Sequence, residues 1–185
     1  MATRTGPVGP FPAGVETDEQ MDGYDKLRRR VLWKMPYGLY VIGSRAGDRR
    51  NGMTLNWATQ VSFDPKLLGI AVEKEAFTHE LIAEGGIFSL NLISQEDRAI
   101  VRKFVKPVEV DHEAMTLNGI PFHDGPTGAP ILDQAVAYAD CAVRQTVDTG
   151  GHTFFVGEVI DSAFQVEDEE TPVLRMEDTR MSYGG

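Results

Sequence analysis

The sequence predicts a mainly β domain, a closed antiparallel barrel with a few helices packed outside it. Three observations carry that expectation. Stretches rich in β-branched and aromatic residues outnumber amphipathic ones along the chain. Two long ones, Ala137 to Val147 and His152 to Phe164, follow each other with no helix between them, whereas a parallel pair needs a long crossover. Between them lies Asp148-Thr149-Gly150-Gly151, a composition suited to a hairpin turn.

The elements follow in chain order. Residues 1–20 carry Pro7, Pro10 and Pro12 with early glycines and no apolar period, the pattern of a flexible arm, so the folded domain is expected over 21–185. Asp22 suits the cap of a helix running to Leu32, with Tyr24, Leu27, Val31 and Leu32 near one face. From Pro36 the pattern turns to strand: Tyr37 to Gly43, a polar loop from Ser44 to Arg50, an Asn51-Gly52 turn, and a returning strand from Met53 to Ala58. A short polar connection, Thr59 to Asp64, leads through Pro65 to a strand at Leu67 to Val72. Phe77, Leu81 and Ile82 fit a short helix stopped by Gly85-Gly86. Ile87 to Ile93 reads as a strand, and Gln95 to Val105 as a second amphipathic helix with Ile100, Val101 and Phe104 on one side. After the hairpin come an acidic loop, Val166 to Thr171, and a last strand at Val173 to Met176.

Composition narrows the function classes. The chain of 185 residues suits one domain with a short appendage. It holds no apolar run of membrane-spanning length, and its N-terminus lacks the basic-then-apolar pattern of a secretory signal, so a cytoplasmic protein without membrane contact is expected. Cys141, the single cysteine, rules out an internal disulfide and reads as a buried thiol within a strand. A formal charge of -10 disfavours nucleic acid and anionic lipid as partners. The basic cluster Lys26 to Arg30 reads as a solvated helix face. There is no Gly-x-Gly-x-x-Gly after a strand, no Walker loop and no His-Glu-x-x-His, and His79, His112, His123 and His152 show no metal-ligand spacing.

Two segments stand out. Asn51-Gly52-Met53-Thr54-Leu55-Asn56-Trp57-Ala58-Thr59-Gln60-Val61-Ser62 joins a strand to a dense set of small polar groups. About twenty residues on, Glu73-Lys74-Glu75-Ala76-Phe77-Thr78-His79-Glu80-Leu81-Ile82 joins a strand end to a helix start. Together with Phe88-Ser89-Leu90-Asn91-Leu92, Gln95 to Phe104, Gly151-His152-Thr153 and Gly157-Glu158-Val159, they resemble the flavin reductase family over roughly residues 30 to 165. That resemblance implies a Greek-key FMN-binding split β-barrel, a homodimer in which each barrel helps close the other's flavin site, and NAD(P)H as co-substrate.

The residues can be weighed against what a flavin needs. The isoalloxazine edge wants fixed donors and acceptors, which backbone N–H groups with Thr59, Gln60 and Ser62 can supply; the other reading is an ordinary polar turn. The phosphate is a dianion and needs a cation or a helix N-terminus. Lys74, the helix starting near Ala76 and the Thr78 hydroxyl offer these, unless Lys74 serves only as a surface ion pair with Glu73 and Glu75. Asn91 sits in an apolar strand, where its amide either faces the flavin, as the resemblance implies, or holds a neighbouring loop. Trp57 either stacks on the flavin or fills the core. By the same resemblance, the cofactor-binding set takes in Asn51, Met53, Thr54, Asn56, Trp57 and Ala58. The resemblance also implies that His152 positions the nicotinamide or offers a proton; the other reading is an exposed loop histidine. Apart from the resemblance, Tyr183 near the C-terminus is a candidate to reach a partner's site. The implied activity is an NAD(P)H:flavin oxidoreductase carrying FMN, or FAD, and supplying a separate flavin-dependent monooxygenase. An FMN electron carrier or a ferric reductase is the alternative.

Overall fold

A computed structural model of the chain describes residues 11–181. The chain forms two compact units, divided after Pro36 and again after Thr179. In the first, helix α1 spans Asp18–Leu32. Thr17 accepts from the Gln20 amide at 3.3 Å while the Gln20 side chain accepts from the Thr17 amide at 3.0 Å, a reciprocal capping box. The helix therefore starts four residues ahead of the expected Asp22, inside the stretch expected to be an arm; the signal was Thr17-x-x-Gln20. Residues 1–10 of that arm, and Tyr183, lie outside the described residues. Lys26 pairs with Asp22, and Arg28 and Arg29 with Asp25, so the basic cluster is a solvated, ion-paired helix face as expected.

The second unit is mainly β with few helices. Its large sheet contains β1 (Tyr40–Ala46), β2 (Arg49–Leu55), β3 (Ala58–Phe63), β4 (Lys66–Glu73), β5 (Ile87–Leu92), β10 (Ala137–Asp148) and β11 (His152–Phe164). The order is β2-β1-β5-β10-β11-β4-β3, with every neighbouring pair antiparallel. A smaller sheet holds β6 (Val110–Asp111), β7 (Thr116–Leu117), β8 (Ile120–Asp124) and β9 (Pro130–Leu132), strands too short to stand out in the sequence. Helix α2 spans Phe77–Gly85 and α3 Ile100–Lys103. Among the described residues no helix is long and apolar enough to cross a membrane.

The strand order decides the shape of the site. The two edge strands, β2 and β3, are consecutive in the chain and joined by Asn56 and Trp57 alone. Seven strands laid flat would separate the edges by about 29 Å, yet the link can span only about 11 Å. The sheet must therefore curl until its edges approach at this corner. Among the described residues no ladder pairs β2 with β3, so hydrogen bonds do not carry the barrel round there.

Several local expectations are corrected. Asn51-Gly52 is not a turn but lies inside β2, opposite Ser44 and Gly43, and the turn falls at Gly47 with φ +57°. Pairing overrides the turn preference, and glycine is required at 52 because a Cβ would sit 2.7 Å from the Phe104 ring. Thr59 to Asp64 is not a connection: Ala58–Phe63 is strand β3, paired to β4. The long helix expected from Gln95 shrinks to α3, because the Gln95 amide bonds Pro172 and Ser94 bridges Val173. Val173 and Arg175 make isolated bridges rather than a strand, followed by a 3-10 turn at Met176–Asp178.

The hairpin and α2 fall where expected, α2 ending on Gly86 in the left-handed region at φ +68°. The core is built from Ile42, Leu55, Ile70, Val72, Ile82, Phe88, Leu90, Cys141 and Phe155. Cys141 is fully buried, and burial pushes its thiol up to about 12, which makes it an inert core group.

Candidate functional site

Three chain segments converge at the curled corner of the sheet. β4 and β11 pair so that Glu73 faces His152, which sets the β4–α2 turn beside the tip of the β10–β11 hairpin. The Lys74 amide donates to the Gly151 carbonyl at 3.0 Å, and its ammonium meets Asp148 at 2.7 Å. From the third segment, Trp57 places its ring 4.9 Å from the His152 ring at a 54° tilt, while the Trp57 carbonyl accepts from the Ala71 amide. Asn51 reaches from β2 to α2, where its Nδ2 donates to Thr78 Oγ1 at 2.8 Å. The two segments singled out in the sequence are thus joined, and His152 with them.

The start of α2 has an open end. Ala76 is its N-cap and no side chain caps it, so the positive end of the helix dipole and its first N–H groups stand free of side-chain acceptors. Lys74 precedes that cap by two residues. Thr78, 1% exposed, takes the Asn51 bond and ties β2 to the first turn. Lys74 does not pair with its neighbours Glu73 and Glu75; its partner is Asp148. Of the two cations on β2, Arg49 is held by Glu80 and Glu84 further along α2, and Arg50 by Asp124.

Asn56 is the most unusual residue at the corner. It is 2% exposed, and neither its Nδ2 nor its Oδ1 has a hydrogen-bond partner. An orphaned buried amide costs about 1–3 kcal/mol per group and is rare in folded chains. A planar ligand edge presenting an acceptor beside a donor would satisfy both ends. This is the observation by which a flavin fits: its pyrimidine edge carries O2, N3–H and O4 in that alternation.

Other expected residues divide. Thr59 and Gln60 are exposed on edge strand β3, with Ser62 half-buried beside them; Thr59 bonds the Gln60 carbonyl and Gln60 the Ser62 carbonyl. Met53 and Ala58 pack against the core cluster. Thr54 is turned to the fold, its hydroxyl donating to Val101 at 2.5 Å and its amide to Phe104. Asn91 is fully buried and fully engaged: it donates to the Val41 carbonyl and Ser89 Oγ and accepts from the Leu132 amide. Through the Leu132 amide it pins a neighbouring strand, β9, to the sheet.

Two residues of the corner were not picked out in the sequence. Asp148 read as a turn residue, and only the β4–β11 register brings it to Lys74. His79 bonds Thr153 Oγ1 through Nε2 at 2.7 Å and lies against the Phe155 ring. Burial first, and Lys74 second, push its pKa below the ordinary 6.5, keeping the ring neutral at pH 7. A histidine in the first turn of a helix after a lysine was the available signal.

Known proteins resemble this chain in sequence and in fold. Residues 32–184 match the family described as Flavin reductase like domain. The high molecular weight rubredoxin of Moorella thermoacetica is 32% identical over 76% of this chain; the match spans 61% of that protein's own length. The ferric-chelate reductase (NAD(P)H) of Archaeoglobus fulgidus is 30% identical, with 71% of this chain and 78% of the relative covered. Among solved structures, the NADH:FAD oxidoreductase of Streptomyces globisporus C-1027 superposes with a TM-score of 0.67 at 30% identity, covering 83% of this chain and 87% of that one. On the family match over residues 32–184, this chain belongs to the flavin reductase like domain family.

Proposed function

We propose that the protein is an NAD(P)H-dependent flavin reductase that holds FMN at the corner between β2, β3, α2 and the β10–β11 hairpin. The observation that carries this reading is Asn56, a buried amide whose donor and acceptor both lack partners where the sheet edges meet. Its carboxamide reads the flavin's pyrimidine edge, helped by Thr59, Gln60, Ser62 and backbone groups of β3. Lys74 and the uncapped start of α2, with Thr78 in its first turn, take the phosphate; Asn51 fixes that turn against β2. Trp57 and His152 form a wall of two packed rings beside the flavin, and His152 positions the nicotinamide or offers a proton.

Held by these residues, a flavin would supply the redox chemistry between nicotinamide and an electron acceptor. The protein's part is positioning and exclusion of water, by the packed Trp57 and His152 rings, the neutral His79 and the hydrogen-bonded turn before α2. We read the curled sheet as a Greek-key split barrel and the working form as a cytoplasmic homodimer that feeds a flavin-dependent monooxygenase. A phosphate site at a single helix terminus supports FMN over FAD. The Archaeoglobus fulgidus relative favours one other outcome, in which the electrons go to a ferric chelate.

The test is anaerobic stopped-flow mixing of flavin-loaded protein with NADH or NADPH. Rapid loss of the oxidised-flavin band near about 450 nm is expected with at least one donor. Bleaching with neither overturns the reductase reading and leaves an electron carrier.

A further inference from the structure

We propose that Asp148 is an internal stand-in for the flavin phosphate on Lys74, exchanged for it on binding, so that Asp148 sets how strongly the site prefers phosphorylated flavins. The proposal rests on the reading of Lys74 as the phosphate's cation.

Four observations lead to it. The Lys74 ammonium is held by Asp148 Oδ1 at 2.7 Å, although Glu73 and Glu75 flank it in sequence. The pair is weakly sheltered, with side chains 37% and 71% exposed, so breaking it costs at most about a fivefold factor. Asp148 belongs to the hairpin tip, where its Oδ1 also accepts from the Gly150 amide at 2.8 Å, and the tip is tied to the turn before α2 by the Lys74 amide–Gly151 bond. The uncapped start of α2 lies two residues beyond Lys74. An anion that engages the helix terminus must therefore share Lys74 with a carboxylate already in place.

The exchange follows from charge. A phosphate dianion gains charge-assisted bonds from Lys74 together with helix N–H groups, which an exposed carboxylate does not. The displaced Asp148 keeps its Gly150 bond and its access to water, so it is not left buried and unpaired. Its charge remains near the bound phosphate and opposes it. At a separation of several ångströms in a screened, water-exposed setting, that repulsion weakens binding by on the order of fivefold. A flavin without phosphate meets neither the competition nor the repulsion. Asp148 is thus a specificity-determining residue acting through Lys74, and it sits on the hairpin that carries His152.

The test compares FMN and riboflavin by fluorescence titration of full-length, flavin-stripped protein and of its Asp148→Asn and Lys74→Ala variants. Asparagine keeps the acceptor for Gly150 and removes only the charge. Asp148→Asn is expected to tighten FMN by on the order of fivefold and leave riboflavin unchanged, while Lys74→Ala removes the preference for FMN. A second readout is the Asp148 carboxyl itself, followed by NMR. In the free protein Lys74 and the Gly150 amide hold it below the usual carboxylate range; it should rise with FMN and stay low with riboflavin. If the unsubstituted protein prefers FMN and Lys74→Ala abolishes that preference, but Asp148→Asn changes nothing, weakens FMN or shifts both ligands equally, the stand-in role is overturned and the phosphate site stands. If the unsubstituted protein binds both flavins equally, the phosphate site is overturned and the stand-in with it.

Discussion

Asn56→Leu separates a residue kept for a ligand from one kept for the fold. Leucine approximates the shape of asparagine without its polar atoms. In the ligand-free protein Asn56 is 2% exposed with both amide ends unpaired, so its removal should relieve a desolvation penalty of about 1–3 kcal/mol. For a chain of this length that raises the melting temperature of flavin-stripped protein by about 2–10 °C. Flavin binding should move the opposite way. Losing a paired donor and acceptor in a site closed to water weakens FMN by about five- to hundredfold. The assay is thermal unfolding of stripped protein with and without a fixed excess of FMN. Flavin at about a hundred times its dissociation constant stabilises by about 2.7 kcal/mol, an increment that shrinks as affinity falls. Higher intrinsic stability with a smaller flavin increment is expected. A variant less stable when stripped, with its flavin increment intact, would refute the reasoning and make Asn56 a structural amide.

Two further outcomes follow from the same geometry. Asn91→Ala leaves the buried Leu132 amide without its acceptor, which should lower stability by about 1–3 kcal/mol in urea unfolding, with the FMN affinity of the folded protein unchanged. Because burial and Lys74 hold the His79 pKa below 6.5, the unfolded chain takes up that proton first; the neutral ring's contribution is complete above about pH 6.5 and is lost as pH falls through the lowered value. Urea midpoints measured from about pH 7.5 down to about pH 5 should therefore fall more steeply for the natural chain than for His79→Gln.

What the sequence revealed of the fold was local. Asp148 to Gly151 and Gly85-Gly86 are turn and stop signals whose chemistry acts within a few residues, and the hairpin and α2 appear where they point. Asn51-Gly52 carries an equally strong local signal and misleads, because the strand opposite and the Phe104 ring above settle that position from a distance. The site divides in the same way. Lys74, Thr78 and the helix start are neighbours in sequence and could be proposed together. Lys74 and Asp148 are joined only by the β4–β11 register, and Trp57 meets His152 because β3 and β11 flank the same strand, β4. Asn91 and Thr54 had the composition of site residues; Asn91 also holds β9, a three-residue strand that left little trace in the sequence, and Thr54 bonds the α3 segment, which was expected as a helix but not as a neighbour of β2.

A charge of -10 sets the chain as a whole against an anionic cofactor, but distant charges do not decide the matter. At physiological salt, exposed charges are largely screened beyond about 8 Å, so the acidic surface acts weakly on a group docked at the start of α2. Within that range the local choices matter more. Glu80 and Glu84 share the single positive charge of Arg49, which offsets one of the two. Asp148 is matched by Lys74, and His79 is kept neutral by burial and by that same lysine. A lysine two residues before an uncapped helix then supplies the positive potential. It does so on a turn fixed from two sides, by Asn51 on β2 and by Gly151 on the hairpin. The corner that brings the sheet's edges together is therefore also the place we propose for a phosphorylated flavin on a protein of this net charge.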